Sequence, residues 1–146
     1  MKIYLDNCSL QRPLDDQDQP RIEQEAEAVI EILTHCEAGR LTLFSSESLD
    51  FEIGEIMDAR RLAACTGILS VAKGYVTTNE TIARRAEEFG ASGIKAFDAL
   101  HLASAEAGEV DFFCTCDDRL LRKAKALTDL KVKAVSPMEL VEEVKK

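Results

Sequence analysis

Short strand-like runs alternate with longer helical patterns about five times along this chain, and this alternation limits the possible folds more than any other feature. The strand-like runs are KIYL at 2–5, LTLFS at 41–45, GYVTT at 74–78, DFFCT at 111–115 and VKAV at 132–135. Such alternation is typical of an α/β fold, in which helices pack against a parallel sheet. We therefore expect one parallel sheet of about five strands.

The longest predicted helix runs from Arg21 to about Glu37, where apolar residues recur at helical spacing, and Gly39 follows as a typical helix terminator. The segment 11–20 before it is crowded with Asp, Gln and Pro and is predicted to be a loop. Further helices are predicted over 46–71 with a break, 79–90, 95–108, 117–128 and from Pro137 onward.

Length and composition fit one globular domain that covers residues 1–146, with 46% hydrophobic and 31% charged residues. No apolar run approaches the roughly 20 residues of a membrane span. The opening MKIYLDNCSL carries one Lys and meets an Asp at once, which does not fit a secretory signal. A cytoplasmic location without membrane contact is the resulting expectation, and the five unpaired cysteines agree with a reducing compartment.

Four carboxylates occupy points where a strand or a short loop leads into a helix: Asp6, Glu52, Asp98 and Asp117. The carboxyl ends of parallel strands share one edge of the sheet, and ligands bind at that edge. Acidic groups brought there from distant segments repel one another unless a cation lies between them. Hard cations that take oxygen ligands, Mg²⁺ or Mn²⁺, suit such a set.

Four segments of the chain, IYLDNC, SSESLDFEI, AFDALHLASA and FFCTCDDRLL, together resemble the PIN domain, a nuclease fold shared by toxin ribonucleases of the VapC type. The most specific part is D-A-L-H-L-A followed by T-x-D-D at this separation. The resemblance covers essentially the whole chain. It implies a single-domain, three-layer α/β sandwich around a central parallel sheet.

The resemblance implies that Asp6, Glu52, Asp98 and Asp117 form the acidic cluster that holds the metal and carries catalysis. It also implies that the Thr115 hydroxyl supports the site by orienting a carboxylate or a water, with Asp118 as an accessory group. Glu52 is preferred over Glu47 and Glu55 because Ser46 precedes it by the family's usual spacing, although Glu55 borders the same helical face.

Cationic and histidine side chains near these acids are the remaining candidates. Arg12, Arg119 and Arg122 are predicted RNA contacts because a guanidinium can bind phosphate with two parallel hydrogen bonds. The alternative for each is a solvated helix face. His101, three residues after Asp98, is interpreted as a core or supporting residue without a catalytic role.

The leading hypothesis is a metal-dependent endoribonuclease in which a metal-activated water attacks RNA phosphodiesters. The net charge of −9 favours a different class, a catalytically inactive PIN-fold binding module that acts through a protein or RNA partner. A phosphatase or phospho-acceptor receiver is disfavoured because no D-x-D motif begins at Asp6. The resemblance further implies an antitoxin partner and a homodimer, although the long 11–20 loop departs from compact toxin nucleases.

Overall fold

Five parallel strands form one sheet in the computed structural model, which describes residues 1–146. The strands are β1 (Lys2–Leu5), β2 (Thr42–Ser46), β3 (Gly74–Val76), β4 (Phe112–Cys114) and β5 (Lys133–Val135). Their order is β3-β2-β1-β4-β5, and every neighbouring pair is parallel. The predicted α/β fold with five parallel strands is confirmed.

Eight helices flank this sheet. They are α1 (Asn7–Gln11), α2 (Pro20–Glu37), α3 (Glu47–Gly54), α4 (Ala59–Leu69), α5 (Glu80–Ala91), α6 (Ala96–Ala107), α7 (Asp118–Ala126) and α8 (Pro137–Lys145). The predicted break in the 46–71 segment falls between α3 and α4, where the Asp58 side chain caps the new helix. Gly39 ends α2 with a φ of +80°, as its position predicts. None of these helices has the length and apolarity that crossing a membrane requires.

The segment after β1 differs from the prediction, because it is largely helical where a loop was expected from residue 11 onward. Helix α1 leads into a 3-10 helix at Arg12–Leu14, and only 15–19 lack helical structure. Arg61 of α4 stabilises this segment by donating hydrogen bonds to the Asp15 carboxylate at 2.8 Å and to the Leu14 carbonyl at 3.1 Å. These contacts join residues more than 40 positions apart, so no local sequence pattern predicts the conformation of this segment.

The central strand β1 lies between β2 and β4, and its residues Ile3, Tyr4 and Leu5 are fully buried. Strands of a parallel sheet covered on both faces become continuous apolar runs, as seen here. The Tyr4 ring stacks on Phe113 of β4 with their centroids 5.6 Å apart. This contact packs the central strand β1 against its neighbour β4.

Truncation of Phe113 tests how far the fold depends on that contact. We expect Phe113→Ala to lower the free energy of unfolding by about 3–5 kcal/mol, because it removes a fully buried ring and leaves a cavity. The matched control Phe51→Ala removes a ring that is 59% exposed, and it should lower the same quantity by less than about 1 kcal/mol. Urea denaturation of the three proteins measures both values, and equal losses would contradict the assignment of Phe113 to the core.

Candidate metal centre

Asp6 and Asp117 lie at the same edge of the sheet because the strands that precede them are parallel neighbours. Asp6 follows β1 and caps α1, where its Oδ1 accepts the amide hydrogen of Ser9 at 3.1 Å. Asp117 comes three residues after β4 and caps α7, where its Oδ1 accepts the amide hydrogens of Arg119 and Leu120. The register pairs Leu5 with Cys114, so the segments that follow β1 and β4 leave the sheet side by side.

The other two predicted acids come from helices. Asp98 lies in the first turn of α6, and Glu52 lies on α3, which packs against α6. The Glu52 Oε1 accepts a hydrogen bond from Nε2 of His101 at 3.1 Å. This bond connects α3 directly to α6.

Asp98 experiences the negative charge of all three other acids. Burial is the largest cause that raises the pKa of this carboxyl, to about 6, and the charges of Asp6 and Asp117 raise it further. His101 opposes the shift, and Glu52 makes a smaller contribution that raises it. The other three acids are therefore close enough to Asp98 to influence its charge, whereas their joint role as a metal site stays a prediction.

Asp6 is the most enclosed of the four, with only 4% of its surface exposed. Burial raises the pKa of Asp6 above its ordinary value, and the hydroxyl of Thr115 is the largest opposing influence. The Cys8 thiol also donates toward this carboxylate, with Sγ at 3.2 Å from each oxygen. Thr115 in addition accepts the amide hydrogen of Asp117 at 3.0 Å, so one buried hydroxyl lies next to two of the acids.

No group of three or more His, Cys, Asp or Glu side chains is arranged to hold a metal ion in the structure. Three of the acids make hydrogen bonds to groups of the protein: Asp6 to Ser9, Glu52 to His101 and Asp117 to the first turn of α7. The donor set itself, oxygen-only and anionic, fits Mg²⁺ or Mn²⁺.

The structure distinguishes between the glutamates that the sequence left open. Glu47 accepts the amide hydrogen of Thr78 at 2.9 Å, and Glu55 is an exposed residue at the end of α3. Glu52 alone contacts His101 and influences Asp98. These contacts favour Glu52 as the fourth acid.

Some predicted accessory residues make ion pairs of their own. Asp118 pairs with Arg21, whose Nη1 donates to Oδ2 at 2.6 Å. Arg12 pairs with Asp15 at 2.9 Å and with the buried Glu25 at 3.2 Å. The accessory role of Asp118 and the RNA contact of Arg12 therefore stay predictions, without a contact that brings either side chain to the acids.

A crevice beside the acids has a cationic rim. It is lined by Asp98 and Asp117 together with Lys95, Arg119 and Lys123, so the predicted RNA contact Arg119 borders the site. Arg122 is exposed on α7 and lies near Asp118, whose pKa it helps to lower. Sequence reasoning missed Lys95, although its placement three residues before Asp98 could have indicated it.

The PIN domain family model matches residues 10–126, which is well over half of the chain. The chain therefore belongs to the PIN domain family, as its motifs predicted. Proteins of this family are generally nucleases and generally use Mg²⁺ or Mn²⁺. A comparison with curated proteins finds no match.

Three solved structures share the fold. FitAcB from Neisseria gonorrhoeae is 18% identical, with 93% of this chain and 98% of that chain covered and a TM-score of 0.61. VapBC2 from Rickettsia felis, bound to a DNA fragment from their promoter, is 11% identical with the same coverage and TM-score. PAE2754 from Pyrobaculum aerophilum is 17% identical, with 99% and 90% covered and a TM-score of 0.56. At these identities the likeness shows the fold alone.

Because the pKa of Asp98 is raised in the folded protein, replacing this carboxyl by a neutral side chain should increase the free energy of unfolding, and the increase should depend on pH. Below about pH 4 this carboxyl is neutral in the folded and in the unfolded chain. Between about pH 4 and pH 6 the folded state holds its proton longer than the unfolded state, so rising pH destabilises the fold. We therefore expect Asp98→Asn to stabilise the metal-free protein by about 1–2 kcal/mol at pH 7.5, less than the full shift implies because Asp98 is only partly buried.

Urea denaturation at pH 4 and at pH 7.5 measures this gain, which should nearly vanish at the lower pH. The control is Asp16→Asn, which neutralises an exposed acid in the 15–19 segment and should change little at either pH. A gain of equal size at both pH values would contradict the explanation by charge.

Proposed function

We propose that this protein is a metal-dependent endoribonuclease whose Mg²⁺ or Mn²⁺ is held by Asp6, Glu52, Asp98 and Asp117. The observation that carries the proposal is geometric: Asp98 and Asp117 line one crevice, Asp6 leaves the neighbouring strand at the same edge of the sheet, and Glu52 contacts the helix that carries Asp98. A bound divalent cation would offset the repulsion among these carboxylates. Membership of a family of nucleases supports phosphodiester hydrolysis as the reaction.

The residues of this chain would bind and orient the substrate. A bound divalent ion would supply a water of lowered pKa and would offset charge on the leaving oxygen. The Thr115 hydroxyl accepts the amide hydrogen of Asp117 and lies next to Asp6. It would therefore fix the positions of these two proposed metal ligands relative to each other. Lys95 and Arg119 line the crevice next to Asp98 and can bind the RNA phosphates that flank the scissile bond.

An antitoxin-like protein partner and a homodimer form the second part of the proposal. The motifs resemble VapC-type toxins, and VapBC2 is among the proteins that share the fold. Phe51 and Phe97 support a protein contact, because their rings stack at 5.8 Å although they are 59% and 39% exposed. Paired aromatic side chains left in solvent are typical of interaction surfaces.

The alternative is a PIN-fold module that binds a partner without turnover. The net charge of −9 favours it, as do the hydrogen bonds that already engage Asp6, Glu52 and Asp117. Metal affinity distinguishes the two functions. Calorimetry that detects no Mg²⁺ or Mn²⁺ binding at millimolar concentration would favour the binding module.

RNA cleavage tests the nuclease directly. We expect Asp6→Asn and Asp98→Asn each to lower the rate of Mg²⁺-dependent cleavage at least about 100-fold, because each removes a ligand of the metal. The measurement is cleavage of a labelled single-stranded RNA under single-turnover conditions.

Asp111→Asn provides a matched control for this experiment. Asp111 precedes β4 at the opposite, amino end of the sheet, where its carboxylate accepts the amide hydrogen of Lys2 at 2.7 Å. An Asn can still accept that hydrogen bond, so cleavage should remain as in the unchanged protein. Full activity of Asp6→Asn and Asp98→Asn would refute the proposed site.

A further inference from the structure

A series of buried hydrogen bonds ends at the Glu52 carboxylate. His101 Nε2 lies 3.1 Å from Glu52 Oε1, and His101 Nδ1 lies 2.7 Å from the Tyr4 hydroxyl. The Tyr4 hydroxyl lies 2.6 Å from Oγ of Ser46, which lies 3.2 Å from Oγ of Ser48. Tyr4, Ser46 and His101 are at most 1% exposed, so water does not compete for these bonds.

The direction of each bond follows from what its atoms can donate. An ionised carboxylate only accepts, so Nε2 of His101 carries the hydrogen that Glu52 receives. In a neutral imidazole the other nitrogen then accepts, and the Tyr4 hydroxyl must donate to Nδ1. A phenol keeps its hydrogen near neutral pH, so the Tyr4 hydroxyl can supply the hydrogen that this bond needs.

The remaining bonds connect Glu52 to the start of its own helix. Because Tyr4 donates its only hydrogen to His101, it must accept the hydrogen of Ser46. Ser46 caps α3 by accepting the amide hydrogen of Leu49 at 3.1 Å. The series therefore leaves α3 at its cap, passes through Tyr4 of β1 and His101 of α6, and returns to α3 at Glu52.

We propose that Tyr4 and His101 are positioning residues that hold Glu52 in place for the proposed metal, with the Tyr4 hydroxyl donating to Nδ1 of the Nε2–H tautomer of His101. This inference rests on the proposed function of the acids. The Glu52 side chain is 27% exposed, and its bond to His101 leaves Oε2 available for a ligand. The imidazole itself is held by the rings of Tyr4 and Phe97, whose centroids lie at 5.8 Å and 6.3 Å.

The tautomer can be measured without metal or RNA. Nitrogen-15 NMR at mildly alkaline pH should show the neutral imidazole of His101 as the Nε2–H tautomer, with Nδ1 accepting a hydrogen bond. Tyr4→Phe removes the donor to Nδ1, so the Nδ1 resonance should move to the value of a nitrogen without a hydrogen bond, while Nε2 keeps its hydrogen for Glu52. An Nδ1–H tautomer in the unchanged protein, or an Nδ1 resonance that Tyr4→Phe leaves unaltered, would overturn the assignment.

Two substitutions of His101 separate positioning of Glu52 from packing. Gln places an amide donor near the position of Nε2, whereas Asn places one near Nδ1 and does not reach Glu52. We expect His101→Asn to weaken Mn²⁺ binding and to slow RNA cleavage about 10- to 100-fold, the usual effect of losing a partner that orients a ligand. His101→Gln should retain both within about three-fold, because the hydrogen bond to Glu52 is kept.

Calorimetry with Mn²⁺ and single-turnover cleavage measure these effects on variants whose folding is verified by thermal unfolding. Equal losses in His101→Gln and His101→Asn, or no loss in either, would overturn the positioning role. If the unchanged protein neither binds Mn²⁺ nor cleaves RNA, the proposed function fails, whereas the NMR experiment still decides whether Tyr4 donates to Nδ1 of His101.

Discussion

The parallel pairing of β1 with β2 on one side and β4 on the other is the constraint from which the rest of the structure follows. Parallel strands end at the same edge, so the segments that leave them meet there. Asp6 leaves β1 at this edge, Ser46 starts α3 from β2, and Thr115 with Asp117 follows β4. A change of direction in β1 would move Asp6 to the opposite edge and remove the site without altering any of its residues.

Concentrating acids at one edge has an electrostatic cost, and the fold reduces it in two ways. Asp6 and Asp117 cap helices and Asp98 lies in a first turn, where backbone amides and the helix dipole stabilise negative charge by about 0.3–1 kcal/mol per group. Hydrogen bonds from the Cys8 thiol to Asp6 and from His101 to Glu52 stabilise two of the acids further. The pKa of Asp98 nevertheless stays raised, first because the carboxyl is partly buried and then because Asp6 and Asp117 are negatively charged.

Buried polar groups behind the acids determine how rigid the site is. His101 and Tyr4 are buried, and every side-chain atom of theirs that can form a hydrogen bond has a partner. Satisfied polar groups in a core select one arrangement of the surrounding elements, because any other leaves a buried donor or acceptor unpaired. Here the selected arrangement fixes α3 relative to β1 and α6.

The fold was predictable from the sequence because its signals are local. Strand-like runs, helical spacing, and capping residues such as Asn79 and Ser136 act within a few residues, and each appears where it was predicted. Helix α1 escaped prediction because five residues are too few for a periodic pattern, and the Arg61 contacts that stabilise the segment after it come from another helix. The four acids were proposed from the sequence because the family motifs and the expected sheet edge mark the same positions, and their joint role as a metal site stays a prediction.

The sequence by itself determined the order of strands and helices and the acidic residues at their junctions, because these depend on neighbours along the chain. Only the tertiary structure decided which glutamate contacts His101, which arginines are engaged by Asp15, Glu25 and Asp118, and that Tyr4 contacts a histidine 97 positions away. Hydrogen bonds and charge interactions depend on distance in space, and that distance is set only when the sheet and its helices pack together.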